Sequence, residues 1–223
     1  MKIVAVVCRK GGVGKTTIAT HVAVAAEKLG LVTVVLDLDP QARAASWGDH
    51  RGKGSAPAVV AAQATRLPLL LKEAEDQDAD LIILDTPPHA DTTATAAVAK
   101  ADLVLIPSRP SGLDLEALPA SIQLARISGK PFFVVINAAP VQGHEVAEAQ
   151  EAFAAEGIEV APVVMHQRKA YSSHWQIGQT ADEADPGGKA AAEVRELTLW
   201  LCDRLGMTKR VSTKRKAPDR EIA

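Results

Sequence analysis

Short, almost unbroken apolar runs recur along the chain at Ile3 to Val7, Val32 to Leu36, Leu81 to Leu84, Leu103 to Ile106, Phe132 to Ile136 and Val160 to Val164, with a weaker candidate at Ala58 to Ala61. Segments of helical length, rich in alanine and leucine, separate them. A run apolar at consecutive positions describes a strand buried on both faces, and strand-helix alternation describes a parallel sheet with right-handed crossovers. The pattern predicts a doubly wound α/β domain, with a mainly parallel sheet and helices on both faces. The 40 alanines suit helices packed closely on that sheet. Ligands in such folds sit beyond the carboxyl ends of the strands, so the residues just after each run are the candidates for chemistry. No repeat or linker interrupts the pattern before residue 206. One domain is therefore expected over 1–206, followed by a basic, flexible tail over 207–223.

Composition adds a charge asymmetry. The 223 residues carry 25 Lys+Arg and 27 Asp+Glu. Residues 209–223 have a net charge of +4, which leaves −6 on residues 1–208. The 2 cysteines, Cys8 and Cys202, lie in apolar or helical runs and exclude a disulfide framework, which suits a reducing cytosol. No apolar stretch reaches the roughly 18 residues a membrane span needs, and the first apolar run leads straight into glycines, unlike a signal peptide. The chain is expected to be neither exported nor membrane-spanning.

The first run ends in Cys8-Arg9-Lys10-Gly11-Gly12-Val13-Gly14-Lys15-Thr16-Thr17, followed by an apolar helical segment from Ile18 to Leu29 that stops at Gly30. Strand, glycine loop and helix in that order form an anion cradle. Glycines let backbone N–H groups converge on phosphate oxygens, the helix N-terminus adds its positive end, Lys15 serves the β- and γ-phosphates, and Thr16 faces Mg²⁺. The common pattern G-x-x-x-x-G-K-[ST] would need glycine where Arg9 stands. The loop instead reads K-G-G-x-G-K-[ST], with a second lysine, Lys10, at its entrance.

With that loop the sequence resembles the deviant Walker-A ATPases of the ParA/MinD family, a class of P-loop NTPases, over essentially residues 2 to 205. The resemblance implies ATP and Mg²⁺ as cofactors and an ATP-dependent homodimer that sandwiches two nucleotides. It implies that Lys10 reaches the phosphates of the partner subunit, where an added cation stabilises charge developing on the transferring phosphoryl group. The nucleotide-binding set is then Lys10, Gly11, Gly12, Val13, Gly14, Lys15, Thr16 and Thr17. Asn137, after the Phe132 to Ile136 run, is either an adenine-edge contact or a turn residue.

Two further strand ends carry carboxylates. Val35-Leu36-Asp37-Leu38-Asp39-Pro40-Gln41 matches the family's D-x-D-P-Q segment, in which Pro40 turns the chain off the sheet. The resemblance makes Asp39 the residue that orients the attacking water, with Lys10 and Lys15 as the other catalytic residues. Asp37 supports the Mg²⁺ water shell or caps the next helix. Leu81-Ile82-Ile83-Leu84-Asp85-Thr86-Pro87-Pro88 reads as a Walker-B-like strand whose Asp85 binds Mg²⁺ through water. The metal set is Thr16, Asp37 and Asp85. His89, in the loop that follows, is given no role. Leu105 to Leu115 resembles a segment that forms part of the dimer face in small partition ATPases.

The ATP engine does not by itself name its cargo. Met1 starts the first strand at once, leaving no room for the N-terminal helix-turn-helix of larger partition ATPases, so the resemblance points to the small class. The tail from Met207 to Pro218 is charged and nearly free of apolar residues, so no membrane docking is expected. Non-specific DNA suits it better, with Lys209, Arg210, Lys214, Arg215 and Lys216 in the tail and Arg168, Lys169, Lys189 and Arg195 near the last helices as candidate contacts. The reading is a cytoplasmic, nucleoid-associated ATPase for plasmid or chromosome partition, stimulated by a ParB-like partner. The alternatives are an ATPase that positions a protein compartment such as a carboxysome, a metabolic carboxylate enzyme of dethiobiotin synthetase type, and a regulatory module that binds ATP without turnover.

Overall fold

The computed structural model describes residues 1–52, 54–89, 91–112 and 118–207. The strands are β1 Lys2–Val6, β2 Thr33–Asp37, β3 Ala58–Ala61, β4 Leu81–Asp85, β5 Leu103–Ser108 and β6 Phe132–Ile136. The helices among the described residues are α1 Lys15–Lys28, α2 Arg43–Arg51, α3 Leu67–Asp76, α4 Asp91–Lys100, α5 Pro119–Ile127, α6 Glu145–Ala155, α7 Ala181–Ala184 and α8 Lys189–Arg204. All strand pairings are parallel, and the sheet order is β3-β2-β4-β1-β5-β6.

Alternation within the apolar runs feeds two cores. Val4, Val6, Val35, Leu81, Ile83 and Leu105 pack with α1 and α8 on one face. Ala5, Val7, Leu36, Ile82, Leu84 and Ile106 pack with α3, α4, α5 and α6 on the other. A strand with both side-chain rows buried has to read as a continuous apolar run, the pattern that predicts this sheet. Helix α1 is buried from Ile18 through Ala26 because it lies between the sheet and α8, and its alanines allow that close approach. The weak candidate at Ala58 to Ala61 is a true strand, paired to β2 at the sheet edge. Its mostly exposed residues explain its weak apolar signal.

One expected strand does not form. In the Val160 to Val164 run only Val160 bridges, to Val134 of β6. Ala161 donates to Val134 O at 2.8 Å, but Ile136 O takes its bond from Met165 at 2.9 Å rather than from Val163, so extra residues bulge out and the regular ladder stops. The chain then crosses the α1 face as an irregular segment. The Tyr171 ring meets the His21 ring edge-on with centroids 5.2 Å apart, and Trp175 lies 6.0 Å from Trp47 of α2.

Topology places the site. Strand β1 is central, and its register sets Val6 opposite Asp85, while Asp85 in turn lies opposite Asp37 of β2. The carboxyl ends of β2, β4 and β1 therefore present two aspartates beside the glycine loop.

Candidate nucleotide-binding site

The loop between β1 and α1 is shaped by positive φ at Gly12 (75°) and Gly14 (95°). Gly14 is doubly constrained, since a Cβ there would also collide with the Asn137 amide. Contacts from elsewhere hold the loop. Asn137 Nδ2 donates to Val13 O at 2.7 Å, Arg109 Nη2 donates to Gly12 O at 2.6 Å, and the Arg9 N–H donates to Ser121 Oγ at 3.3 Å. The His89 N–H donates to Arg9 O at 3.1 Å, tying the start of the loop to the segment after β4.

Lys15 is buried, and its Nζ donates to Cys8 O at 2.9 Å and to Lys10 O at 3.1 Å. Burial lowers its pKa, opposed by Cys8, Asp85 and Asp39. Loop residues Gly11, Gly12, Gly14, Lys15, Thr16 and Thr17 form one side of a cavity of about 690 Å³ that Asp39, Arg43 and Trp175 also line. Val13 is buried in the core behind the loop, so only its backbone is available to a ligand.

The three strand-end carboxylates differ in what they do. Asp37 is buried and accepts from the Asp39 N–H (Oδ1, 3.0 Å) and the Ala45 N–H (Oδ2, 3.0 Å). It thus fixes the turn into α2, while burial raises its pKa against those bonds. Asp39 is half-buried, accepts the Gln41 N–H at Oδ1, 2.9 Å, and lines the cavity. Asp85 is buried with neither oxygen hydrogen-bonded. Burial pushes its pKa up to about 7, although the nearby Thr16 hydroxyl pulls the other way without completing a bond to it. A buried carboxylate without a partner is costly unless a cation meets it. Among the described residues no group of three His, Cys, Asp or Glu side chains could hold a metal ion. The Thr16 and Asp85 pair suits a hard divalent ion that brings most of its ligands as phosphate oxygens and water, as Mg²⁺ does.

Family membership can be stated on this geometry. Residues 4–179 match the family described as the CobQ/CobB/MinD/ParA nucleotide binding domain. The chain belongs to that family. Relatives within the MinD/ParA family include the maintenance of carboxysome distribution protein A of Gloeobacter kilaueensis, 35% identical over 86% of this chain and 93% of that protein. Protein ParA of Rhizobium radiobacter is 28% identical over 80% of this chain and 84% of its own. Among solved structures, the ATP complex of a Cyanothece McdA variant matches with a TM-score of 0.75 at 17% identity, over 93% of this chain and 97% of that one. The MinD protein of Pyrococcus horikoshii, complexed with Mg-ADP, matches with a TM-score of 0.73 at 16% identity, over 93% and 98%. The fold is that of the MinD/ParA P-loop NTPases, and the protein is an ATPase of that type.

The structure brings Gly11, Gly12, Gly14, Lys15, Thr16, Thr17 and Asp39 onto one cavity and sets Asp37 and Asp85 at its strand ends. Lys10 does not line that cavity. Asn137 does not line it either; its amide donates to the loop carbonyl of Val13. Sequence reasoning missed Arg43, Arg109 and Trp175, none of which falls in a glycine or aspartate motif. Of the expected DNA contacts, Lys169 and Lys189 are exposed. Arg168 is half-buried and bonds Glu193 through Nε at 3.0 Å and Nη2 at 2.6 Å, while Arg195 pairs with buried Asp182, which Lys28 also meets at 2.7 Å. Burial would raise the Glu193 carboxyl, but Arg168, Tyr171 and His166 hold it below its usual range. Lys209, Arg210, Lys214, Arg215, Lys216 and Leu113 to Leu115 lie outside the described residues.

Proposed function

We propose that this ATPase dimerises on ATP, holds non-specific DNA in the dimeric state, and uses that cycle to segregate or position a cargo along the nucleoid. The observation that carries the reading is the loop itself: Lys15 sits on the wall of the cavity, whereas Lys10, at the loop entrance, does not. A lysine placed off its own chain's site suits a contact with the nucleotide of a second subunit.

In this reading the N–H groups from Gly11 to Thr17 and the Lys15 ammonium bind the phosphates, while Asp39 orients water. Thr16 and Asp85 would hold Mg²⁺, which supplies charge neutralisation at the phosphate oxygens; Asp37 acts through the turn it fixes and toward the ion's water shell. Lys10 adds charge in trans to the transferring phosphoryl group. DNA contact falls to the exposed Lys169 and Lys189 and to the tail cations, with Arg168 and Arg195 contributing only the part of their charge that Glu193 and Asp182 leave uncompensated. Pairing two such weak patches in a dimer multiplies avidity and makes DNA retention depend on ATP.

Two cargoes have support. ParA of Rhizobium radiobacter and the chromosome-partitioning ATPase Soj of Thermus thermophilus, 30% identical over 52% of this chain and 57% of that one, favour DNA partition with a ParB-like partner. The carboxysome distribution protein, at 35% identity, favours positioning of a protein compartment to a comparable degree. ATP hydrolysis measured with and without non-specific DNA and the product of the adjacent gene separates them, with Lys15→Ala and Asp39→Ala as inactive controls. Stimulation that needs both additions is the expected result, and the adjacent protein then names the cargo: a small DNA-binding protein means partition, a shell adaptor means a compartment. Hydrolysis indifferent to both but accelerated by a small carboxylate would replace this reading with a metabolic one.

A further inference from the structure

We propose that Arg43 is a second phosphate-contacting residue of this site, acting on the terminal phosphate of the nucleotide held by its own chain. The proposal rests on the ATPase reading of the cavity and extends it to a residue outside the glycine and aspartate motifs. Charge is the first argument. Asp37 and Asp85 stand at the strand ends beside the loop, Asp39 lines the cavity, and a nucleoside triphosphate would bring further negative charge. The cations on the cavity wall are Lys15 and Arg43, and Lys10 is not on it. Lys15 alone is a small counterweight to that much negative charge.

The state of Arg43 is the second argument. Its side chain is exposed and makes no hydrogen bond or ion pair among the described residues, although Asp39 lies on the same wall. Its backbone is fixed. Ala42 takes a left-handed conformation (φ 48°), its N–H donates to Asp39 O at 2.8 Å, and Asp37 accepts the Ala45 N–H one residue past buried Ala44. The guanidinium thus springs from a pinned first helical turn, needs no partner broken to engage a ligand, and offers the planar fork that matches phosphate oxygens.

Placement supplies the third argument. A cation in the first turn of a helix opposes the helix dipole, and α2 has no acidic residue there to offset it. A locally unfavourable choice on the wall of a ligand cavity is the pattern expected of a functional residue. Arg43 also lies four residues after Asp39 and shares the wall with Pro87, Pro88 and Thr93 from the segment after Asp85. Those are the carboxylates that mark the terminal-phosphate end of the site.

Calorimetric titration of Arg43→Ala and Arg43→Lys with ADP and with the non-hydrolysable analogue AMPPNP, both with magnesium, tests the proposal. Arg43→Ala should bind AMPPNP at least tenfold more weakly, bind ADP within twofold of the unmodified protein, and keep its unfolding midpoint. Arg43→Lys should recover part of the loss. The same selective loss in a Lys10→Ala background would place the contact within one chain. Equal weakening of both nucleotides, no weakening, or a loss that vanishes without Lys10 would overturn it. Failure of the unmodified protein to bind either nucleotide would overturn the cavity reading first, and this proposal with it.

Discussion

Gly14 shows how little freedom the loop has. Its φ of 95° is left-handed, and the Asn137 amide occupies the space a Cβ would need. Gly14→Ala should therefore cost about 2 kcal/mol or more of stability, from backbone strain plus displacement of the bond that holds Val13 O. Urea unfolding would measure the loss, and nucleotide binding should fail with it. His21 is a second residue whose environment fixes its chemistry. Its fully buried ring accepts the Ala181 N–H at Nε2, 3.2 Å, so Nδ1 carries the proton and donates to Thr17 O at 2.9 Å. Burial lowers its pKa to about 4, against the opposing pull of the Thr17 carbonyl, Glu183 and Asp182. The folded value lies below the ordinary 6.5, so the unfolded chain binds the proton more readily and stability rises with pH through this window. The contribution is complete above about pH 6.5 and is lost toward pH 4, a span worth roughly 3 kcal/mol. Unfolding midpoints recorded from about pH 7 to about pH 4.5 should fall, and His21→Asn should flatten that slope; an unchanged slope would contradict the assignment.

Between elements, α2 and the segment before α8 are joined by one arginine. Arg51 forks onto Glu183 through Nη1 at 2.9 Å and Nη2 at 2.8 Å, donates to Gly178 O at 2.7 Å and stacks 4.8 Å from the Trp47 ring. The side chains are only 11% and 22% exposed, so Arg51→Ala strands a carboxylate in a poorly solvated place and should cost about 2–4 kcal/mol by denaturant unfolding. Arg51→Lys should recover only part, since an ammonium cannot fork. Nothing in the local sequence announces this joint, because its partners are 132 residues apart. The same reason hides Arg109 and Trp175, whose loop and cavity contacts depend on how distant segments meet. What is legible is what local chemistry dictates: glycines that need positive φ, aspartates ending apolar strands, and strands apolar on both faces. The Val160 to Val164 run misleads because apolar content reports burial and not pairing: Ile136 O takes its bond from Met165 rather than Val163, and the ladder breaks between. Asn137, expected as an adenine contact or a turn residue, also donates its amide to the Val13 carbonyl, a long-range contact that its own neighbourhood in the sequence does not announce.

At the scale of the molecule, a parallel sheet whose central strand feeds the glycine loop collects β1, β2 and β4 ends into one site, while the irregular segment after α6 carries Trp175 onto the same cavity. One chain builds the cavity but leaves Lys10 off its wall, and the −6 and +4 division of charge sets a local basic end on an acidic body. In the proposed cycle both features have a use when two copies meet around nucleotide: a second subunit would receive Lys10, and two basic ends would bind DNA together. The central claim is therefore that ATP assembles the dimer through Lys10. Light-scattering mass measurement of the Asp39→Ala variant, expected to hold ATP without turnover, tests it directly beside the Lys10→Ala, Asp39→Ala double variant. The mass should rise from near the 23.4 kDa of one chain with ADP to about twice that with ATP, and should stay at one chain when Lys10 is replaced. A mass indifferent to nucleotide, or a dimer that forms as readily without Lys10, would contradict the account.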